Sequence, residues 1–215
     1  MLSTERFGRP RRSFTGWARH RALLAVLAVG ATALVLLSAA PAGAHPLGNF
    51  TVNRYARVEV SGPTIRVYYV LDEAEIPAFQ ERRALAAGED EFLRRRVAAI
   101  AEQLDLRVGG ERLALSTVAR SLEQPEGEGG LRTLRVAAIY EATLPAGSGA
   151  RQLTFADANE PDRLGWREVV TVARGDARLE QTDVPTRDVS DELRDYPRSL
   201  TQAPLDLRAA SITFV

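Results

Sequence analysis

The sequence contains no cysteine and no lysine, and only two of its 215 residues are histidine. Without cysteine, neither a disulfide framework nor thiol chemistry can support the fold or a site. Every basic residue is arginine, which we attribute to genomic base composition. His20 lies in an arginine-rich N-terminal leader, so His45 is the single histidine of the remaining chain. This scarcity restricts both the catalytic and the metal-binding sites that the chain can build.

The motifs of common enzyme classes are also missing. A serine nucleophile needs a histidine base beside it, and only His45 is available. The sequence has no G-x-S-x-G, no phosphate-binding loop and no dinucleotide fingerprint. Asp72, Glu73 and Glu75 are closely spaced carboxylates, but acidic residues after a strand are typical of a solvated turn. We therefore expect no enzymatic activity.

The balance of charge excludes nucleic acid as the expected partner. Arginines and acidic residues are equal in number over the whole chain, 28 of each. The leader holds six arginines against Glu5, so the rest of the chain is mildly acidic. Nucleic-acid binding would require a basic face.

Residues 1–44 are predicted to direct export. An arginine-rich start precedes the uncharged apolar run 22–40, and Ala42-Gly43-Ala44 is the small-residue pattern that a signal peptidase accepts. Cleavage would fall between Ala44 and His45. The run also approaches the roughly 20 residues that span a bilayer, so 22–40 as a retained membrane anchor is the alternative. Either way, residues 45–215 are expected outside the cytoplasmic membrane as one domain.

Alternating apolar residues predict a β-rich fold. Residues 50–60 and 64–72 alternate on either side of a Ser-Gly-Pro turn, which predicts a hairpin. Val67 lies on the apolar parity of the second strand. If the other face is solvated, Val70→Asp should cost less stability than Val67→Asp. Further strands are predicted at residues 112–118, 134–144, 152–156, 168–173 and 207–214.

A helical insertion is predicted at about residues 76–108. Leu93, Val97, Ile100 and Leu104 recur at helical spacing within 89–106, and Pro77 suits the first turn of a shorter helix over 76–87. The polar stretches 123–130 and 181–204 are predicted as loops, the second as a long surface connection. These elements predict a mainly β protein, an antiparallel, Ig-like β-sandwich preceded by a hydrophobic leader helix.

Residues 157–168, "DANEPDRLGWRE", partly match a calcium-binding EF-hand loop. Asp157, Asn159 and Glu168 fall at its first, third and twelfth positions. Pro161 and Asp162 occupy the fifth and sixth positions, and the sixth requires glycine. We expect a structural loop instead, in which Asp157 and Asn159 bond to local backbone and Trp166 packs at a sheet edge.

His45 is the candidate metal ligand. Cleavage after Ala44 would give it a free α-amino group beside its imidazole, and the two can chelate a soft-to-borderline cation. Pro46 has no amide hydrogen, so the next backbone nitrogen cannot become a ligand. Further donors are required, and Asp72, Glu73 and Glu75 are the candidates. The alternative interpretation is that a polar residue merely tolerates the cleavage position.

Three stretches resemble one family. "AHPLGNFTVNRYARVEV" at 44–60 and "IRVYYVLDEAEIPAFQE" at 65–81 resemble the start of the extracytoplasmic domain of bacterial NicO-type nickel/cobalt transporters. "ADANEPDRLGWREVVTV" at 156–172 is similar to a second block of that domain. The family's polytopic permease and its histidine- and aspartate-containing membrane motifs have no counterpart in this chain.

The resemblance implies an accessory or regulatory domain of a nickel/cobalt transport system, as part of a truncated or split transporter. The implied partner is a membrane permease, encoded separately or missing from this sequence. The implied ion is Ni²⁺ or Co²⁺, with His45 as a first contact. The rival hypothesis is an envelope protein-interaction module that binds through sheet edges or through residues 181–204 and never contacts metal.

Overall fold

A computed structural model describes residues 46–197 and 203–215, and these form two five-stranded sheets and two α-helices. The first sheet contains β1 (Val52–Ser61), β2 (Thr64–Glu73), β5 (Ser116–Glu123), β6 (Leu134–Thr143) and β8 (Arg167–Arg174), in the order β5-β6-β2-β1-β8. The second contains β3 (Leu104–Val108), β4 (Glu111–Arg112), β7 (Arg151–Asp157), β9 (Leu179–Thr182) and β10 (Ala209–Phe214), in the order β4-β3-β7-β10-β9. The prediction of a mainly β protein is confirmed.

The predicted hairpin is present, with Val58 opposite Val67 in the antiparallel β1–β2 pair. The first sheet is nevertheless mixed, because β8 pairs with β1 in parallel, Arg54 lying opposite Arg167. The expectation of a purely antiparallel arrangement is therefore wrong for this pair. A parallel neighbour requires a long crossover, and here the chain passes through the second sheet before it returns as β8.

The helical insertion is shorter than predicted. Helix α1 (Glu75–Ala87) and helix α2 (Glu89–Glu102) are followed by β3, so Leu104 and Leu106 belong to a strand. Leu104, Leu106 and Val108 are buried while the residues between them are partly exposed, a period of two. Pairing of β3 with β7 decides the conformation there, because Leu104 continues the helical pattern and also starts the strand pattern.

The strand predicted at residues 112–118 is divided between the sheets. The two-residue β4 pairs with β3 in the second sheet, whereas β5 pairs with β6 in the first. Residues 113–115 connect them. A local apolar pattern cannot show such a change of sheet, since both halves alternate in the same way.

One hydrophobic cluster draws on both sheets and on α2. It includes Val58 and Val67 from the first sheet, Phe155 and Ile212 from the second, and Val97 from the helix. No helix within the described ranges has the length and apolarity that a membrane crossing requires.

A second cluster lies on the opposite face of the first sheet. The segment 183–197, predicted as a surface connection, places Leu193 and Tyr196 over Val70 and Trp166. Val70 is completely buried, so the premise of a solvated second face is wrong. Arg57 Nη1 and Glu192 Oε1 are 2.6 Å apart and join β1 to the covering segment.

Candidate functional site

The loop 158–166 is bonded to the beginning of β1. Val52 N donates to the Leu164 carbonyl at 2.9 Å, and Arg54 N donates to the Trp166 carbonyl at 2.8 Å. Gly165 lies between these contacts with φ of +151°, and a Cβ there would stand 2.3 Å from the Val52 carbonyl oxygen. Only glycine allows so close an approach of two backbones. The loop backbone is therefore packed directly against the start of β1.

A buried polar cluster of Arg54, Tyr69, Asp157 and Asn159 lies beneath this loop. The Arg54 Nε atom is 3.4 Å from Asp157 Oδ2, and the arginine is 1% exposed. The Tyr69 hydroxyl donates to the same carboxylate oxygen at 3.0 Å. Burial lowers the pKa of Arg54, while Tyr69 and Asp157 oppose that shift. The cluster joins β1, β2 and the end of β7.

The cluster also determines the course of the loop. Arg54 Nη1 donates to the backbone carbonyls of Asn159 and Glu160, the second at 2.6 Å. Asn159 N and Nδ2 donate to Asp157 Oδ1 at 2.9 and 2.8 Å. The expected local bonding of Asp157 and Asn159 is confirmed. Both carboxylate oxygens of Asp157 are thus committed to protein donors, which explains why an EF-hand-like spacing forms a structural loop.

Trp166 directly precedes β8, an edge strand of the first sheet, and it packs into the second hydrophobic cluster. It is fully buried, and its ring meets Tyr196 edge-on with centroids 5.4 Å apart. Its Nε1 donates to Glu168 Oε2 at 2.8 Å, and the Ser190 hydroxyl donates to the same oxygen at 2.6 Å. Burial raises the pKa of Glu168, and the hydrogen bonds from Ser190, Val189 and Trp166 oppose this. Glu168 therefore links the sheet to its covering segment.

The carboxylates proposed as metal donors do not converge. Asp72 accepts from the Tyr196 hydroxyl at 3.4 Å, Glu73 is paired with Arg96, and Glu75 accepts from the Glu128 amide at 2.9 Å. All three are buried, so the expectation of a solvated turn is wrong. Asp72 and Glu73 alternate along β2 and so leave the sheet on opposite faces.

His45 lies outside the described residues, so the proposed chelate stays a prediction. Within 46–197 and 203–215, no group of three or more His, Asp or Glu side chains is arranged to hold a metal ion. Four residues after His45, the Asn49 carbonyl accepts from Ile76 N at 3.0 Å. This bond places Asn49 beside the start of α1.

Arg96 gathers three carboxylates at the same end of the domain. Its Nη2 contacts Glu73 Oε1 and lies 3.2 Å from Glu160 Oε1, and its Nη1 is 4.0 Å from Glu81 Oε1. Glu73 is the buried member, and its Oε2 has no hydrogen-bond partner among the residues that the structure describes. This group connects β2, both helices and the loop.

We expect Glu73 to make the stability of the domain depend on pH near neutrality. Burial raises its pKa from 4.5 to about 7; Arg96 opposes the shift, and Glu81 and Glu160 add to it. Between these values the folded protein binds more protons than the unfolded protein. The free energy of unfolding therefore falls as pH rises through this range, by about 3 kcal/mol in total once pH exceeds the folded pKa.

Glu73→Gln tests this expectation by removing the titration. The stability of the variant relative to the original protein should rise between pH 4.5 and 7.5 by about 3 kcal/mol, whatever the constant effect of the substitution. Urea denaturation at a series of pH values measures it. Glu123→Gln is the control, since that carboxylate is about half exposed and lies outside the group around Arg96. A difference that is constant with pH would contradict the assignment.

Two arginines of this site, Arg54 and Arg96, were not recognised as site residues in the sequence. Arg54 stands on the parity of Val52 and Ala56, where an arginine is out of place on an apolar face. An arginine at a position expected to be buried predicts a charged partner for it inside the protein, because a buried charge must be paired. Arg96 gave no signal, since it belongs to a run of three arginines on an amphipathic helix.

Comparison with family models and with curated proteins gives no match to this chain.

Proposed function

We propose that residues 45–215 are an extracytoplasmic accessory or regulatory domain of a nickel/cobalt transport system, acting by binding and not by catalysis. Its partner is a membrane permease for these ions. Residues 1–44 bring it to the outer side of the membrane, as a cleaved signal peptide or as an anchor over 22–40.

The proposal is supported by one observation, the convergence of the three stretches that resemble NicO-type domains. The first two form the β1–β2 hairpin, and the third supplies the loop and β8 that pair with β1. Arg54 of the first stretch, Tyr69 of the second and Asp157 of the third meet in the buried polar cluster. Residues from all three family-like stretches therefore contact one another at one end of the domain. The first of these stretches contains His45.

We also propose an Ig-like sandwich as the finer description of the fold. The single hydrophobic cluster shared by the two sheets supports face-to-face packing. The parallel β1–β8 pair is a departure from a purely antiparallel sandwich.

Metal accumulation in the producing cell tests the proposed function. Deleting the gene should change the cellular content of nickel and cobalt, measured by mass spectrometry over a range of external concentrations, and should leave zinc unchanged. The original gene should restore both contents, and so should Arg174→Ala, which alters an exposed ion pair. Unchanged nickel and cobalt in the deletion strain would refute the proposal.

The DNA downstream of the reading frame gives a second, cheaper test. A separately encoded permease would appear there as a membrane protein with several spanning helices. If the neighbouring frames encode no such protein, the transport proposal loses most of its support.

We expect the mature domain to bind Ni²⁺ and Co²⁺ through the imidazole and α-amino group of His45. Both donors must lose a proton, so affinity should fall as pH drops below about 8 for the amine and about 6.5 for the imidazole. Cu²⁺ should bind more tightly than Ni²⁺, and Ni²⁺ more tightly than Co²⁺. Titration calorimetry on protein that begins at His45 measures these affinities.

Two variants distinguish the chelate from adventitious binding. His45→Ala should abolish binding. One extra residue before His45 should abolish it too, because the amine becomes an amide while the imidazole stays in place. Equal Ni²⁺ affinity of the extended and authentic proteins would rule out the terminal chelate.

A protein-interaction module is the second candidate function. The observation that favours it is β5, an edge strand of the first sheet with seven of its eight residues exposed. Exposed edges can pair with a strand of another chain. In that case, proline at Ala119 should weaken partner binding, while gene deletion should leave cellular nickel and cobalt unchanged.

A further inference from the structure

A cavity lies between helix α1 and the connection from β5 to β6. Its volume is about 350 Å³, at the lower end of the roughly 300–1,000 Å³ of small-molecule sites. Its lining includes the buried Ala78 and Leu134, the half-buried Leu85 and the exposed Phe79. It shares no lining residue with the buried polar cluster or with the group around Arg96. The cavity is therefore a separate concave site with apolar walls.

Hydrogen bonds hold the β5–β6 connection against both ends of α1. Glu75, at the start of the helix, accepts from the Glu128 amide at 2.9 Å. A Cβ at Gly127 would stand 2.6 Å from Glu75 Oε1, so any larger residue there would displace the glutamate side chain. Just beyond the end of α1, Glu89 Oε2 accepts from Gln124 Nε2 at 3.3 Å. The walls of the cavity are thus bonded to each other before any ligand enters, which lowers the cost of binding.

Two arginines line the cavity, and neither is in an ion pair. Arg82 Nη1 donates to the Phe79 carbonyl at 2.7 Å, and Arg132 Nη1 donates to the Gln124 carbonyl at 2.9 Å. Among the residues that the structure describes, no carboxylate lies within ion-pair distance of either guanidinium. Arg120 on the neighbouring β5, by contrast, is paired with a carboxylate. Guanidinium groups without a carboxylate partner, beside an apolar cavity, are suited to bind an anion.

The position of Arg82 favours an anion that also has an apolar part. Its guanidinium lies over the Phe79 ring, 3.8 Å from the ring centroid. An arginine in such a contact can still bind a carboxylate through the N–H groups in its plane. Phe79 is 44% exposed, so a ligand that reaches this arginine can also cover its ring. Binding would then remove apolar surface of both partners from water.

The charges around the cavity match a ligand with a single negative charge. Arg82 and Arg132 contribute two positive charges, and Glu89 is the one carboxylate that lines the cavity in the described part of the chain. Two minus one leaves a net charge of +1. A phosphate monoester carries roughly −1.5 to −2 at neutral pH, whereas a carboxylate carries one charge and fits the planar guanidinium through two parallel hydrogen bonds. The chemistry therefore favours a carboxylate.

We propose that this cavity binds a small monocarboxylate with an apolar body, such as an aromatic ring or a branched alkyl group. Arg82 and Arg132 bind the carboxylate, and the apolar body packs against Phe79, Leu85 and Ala78. No bond of the ligand is made or broken. The inference goes beyond the proposed function and does not depend on nickel, cobalt or a permease.

Fluorine NMR on the full chain, with para-fluorohydrocinnamate as the probe, tests the proposal. The transverse relaxation of the probe's fluorine should increase with protein concentration and give a dissociation constant. Arg82→Gln and Arg132→Gln should each raise this constant by about tenfold or more, because each removes a charged hydrogen-bond donor. Arg83→Gln, at the next exposed arginine of α1 and outside the cavity lining, is the matched control and should leave it unchanged.

Two further comparisons locate the probe and identify the group that is recognised. Ala86→Trp, at an exposed position of the lining, should fill the cavity and block binding. The amide of the probe has the same shape without the charge and should bind about tenfold more weakly or worse. Acetate, which has the charge without the apolar body, should not displace the probe at equal concentration. The substituted positions 82, 86 and 132 are exposed, so the variants should keep the circular dichroism spectrum of the original protein.

Equal binding of the acid and its amide would overturn the proposal, and so would unchanged binding in both Arg82→Gln and Arg132→Gln. Binding that persists in Ala86→Trp would place the probe elsewhere on the chain and would also overturn it, as would no binding at millimolar concentrations of the probe. No metal enters the measurement, so its result is independent of the nickel and cobalt contents that test the proposed function.

Discussion

Val70→Asp should destabilise the domain by several kcal/mol, as severely as Val67→Asp. Val67 lies in the cluster between the sheets, and Val70 lies beneath Leu193 and Tyr196 on the opposite face. Both valines are buried in hydrophobic clusters, so each variant must bury a charge among apolar side chains or expose its cluster. Urea denaturation followed by circular dichroism measures the free energy of unfolding.

Val118→Asp is the matched control for this comparison. Val118 is an exposed valine on a strand of the same sheet, so the same substitution should change stability by about 0.5 kcal/mol or less. If Val70→Asp behaved like Val118→Asp, residues 183–197 would not cover the sheet as described.

Arg54→Ala should cost about 3 to 5 kcal/mol, because it removes one partner of a buried ion pair. Asp157 would keep its bond from the Tyr69 hydroxyl but would lose its only charged neighbour within ion-pair distance among the described residues. The carbonyls of Asn159 and Glu160 would lose their donor. Thermal and urea denaturation should agree on this loss.

Two controls separate the ion pair from general effects of losing an arginine. Arg174→Ala removes a surface pair with Glu59 and should cost about 1 kcal/mol or less. The double variant Arg54→Met with Asp157→Leu removes both charges and should be more stable than Arg54→Ala. A loss of under 1 kcal/mol for Arg54→Ala would show that the cluster contributes little to folding.

Local patterns predicted most strands and part of the site. The hairpin, β6, β7, β8 and β10 follow from alternation, because a half-buried strand needs apolar residues at every second position. The structural role of Asp157 and Asn159 followed from a proline and an aspartate in positions that calcium coordination does not tolerate. The limits of β3 and the division of residues 112–118 could not be predicted, since each depends on the neighbouring strand.

By itself, the sequence determined a β-rich domain with a helical insertion, no disulfides and a buried face on both strands of the first hairpin. Period and composition are local properties, so they can be read without a structure. Only the tertiary structure decided that β8 pairs with β1 in parallel, that residues 183–197 bury Val70, and that Arg54, Tyr69 and Asp157 meet. Most of those contacts join positions more than a hundred residues apart; Arg57 and Glu192, which link β1 to the covering segment, are separated by 135. Burial of both faces and pairing of buried charges arise from such long-range contacts, because a residue's own neighbours in sequence cannot supply them.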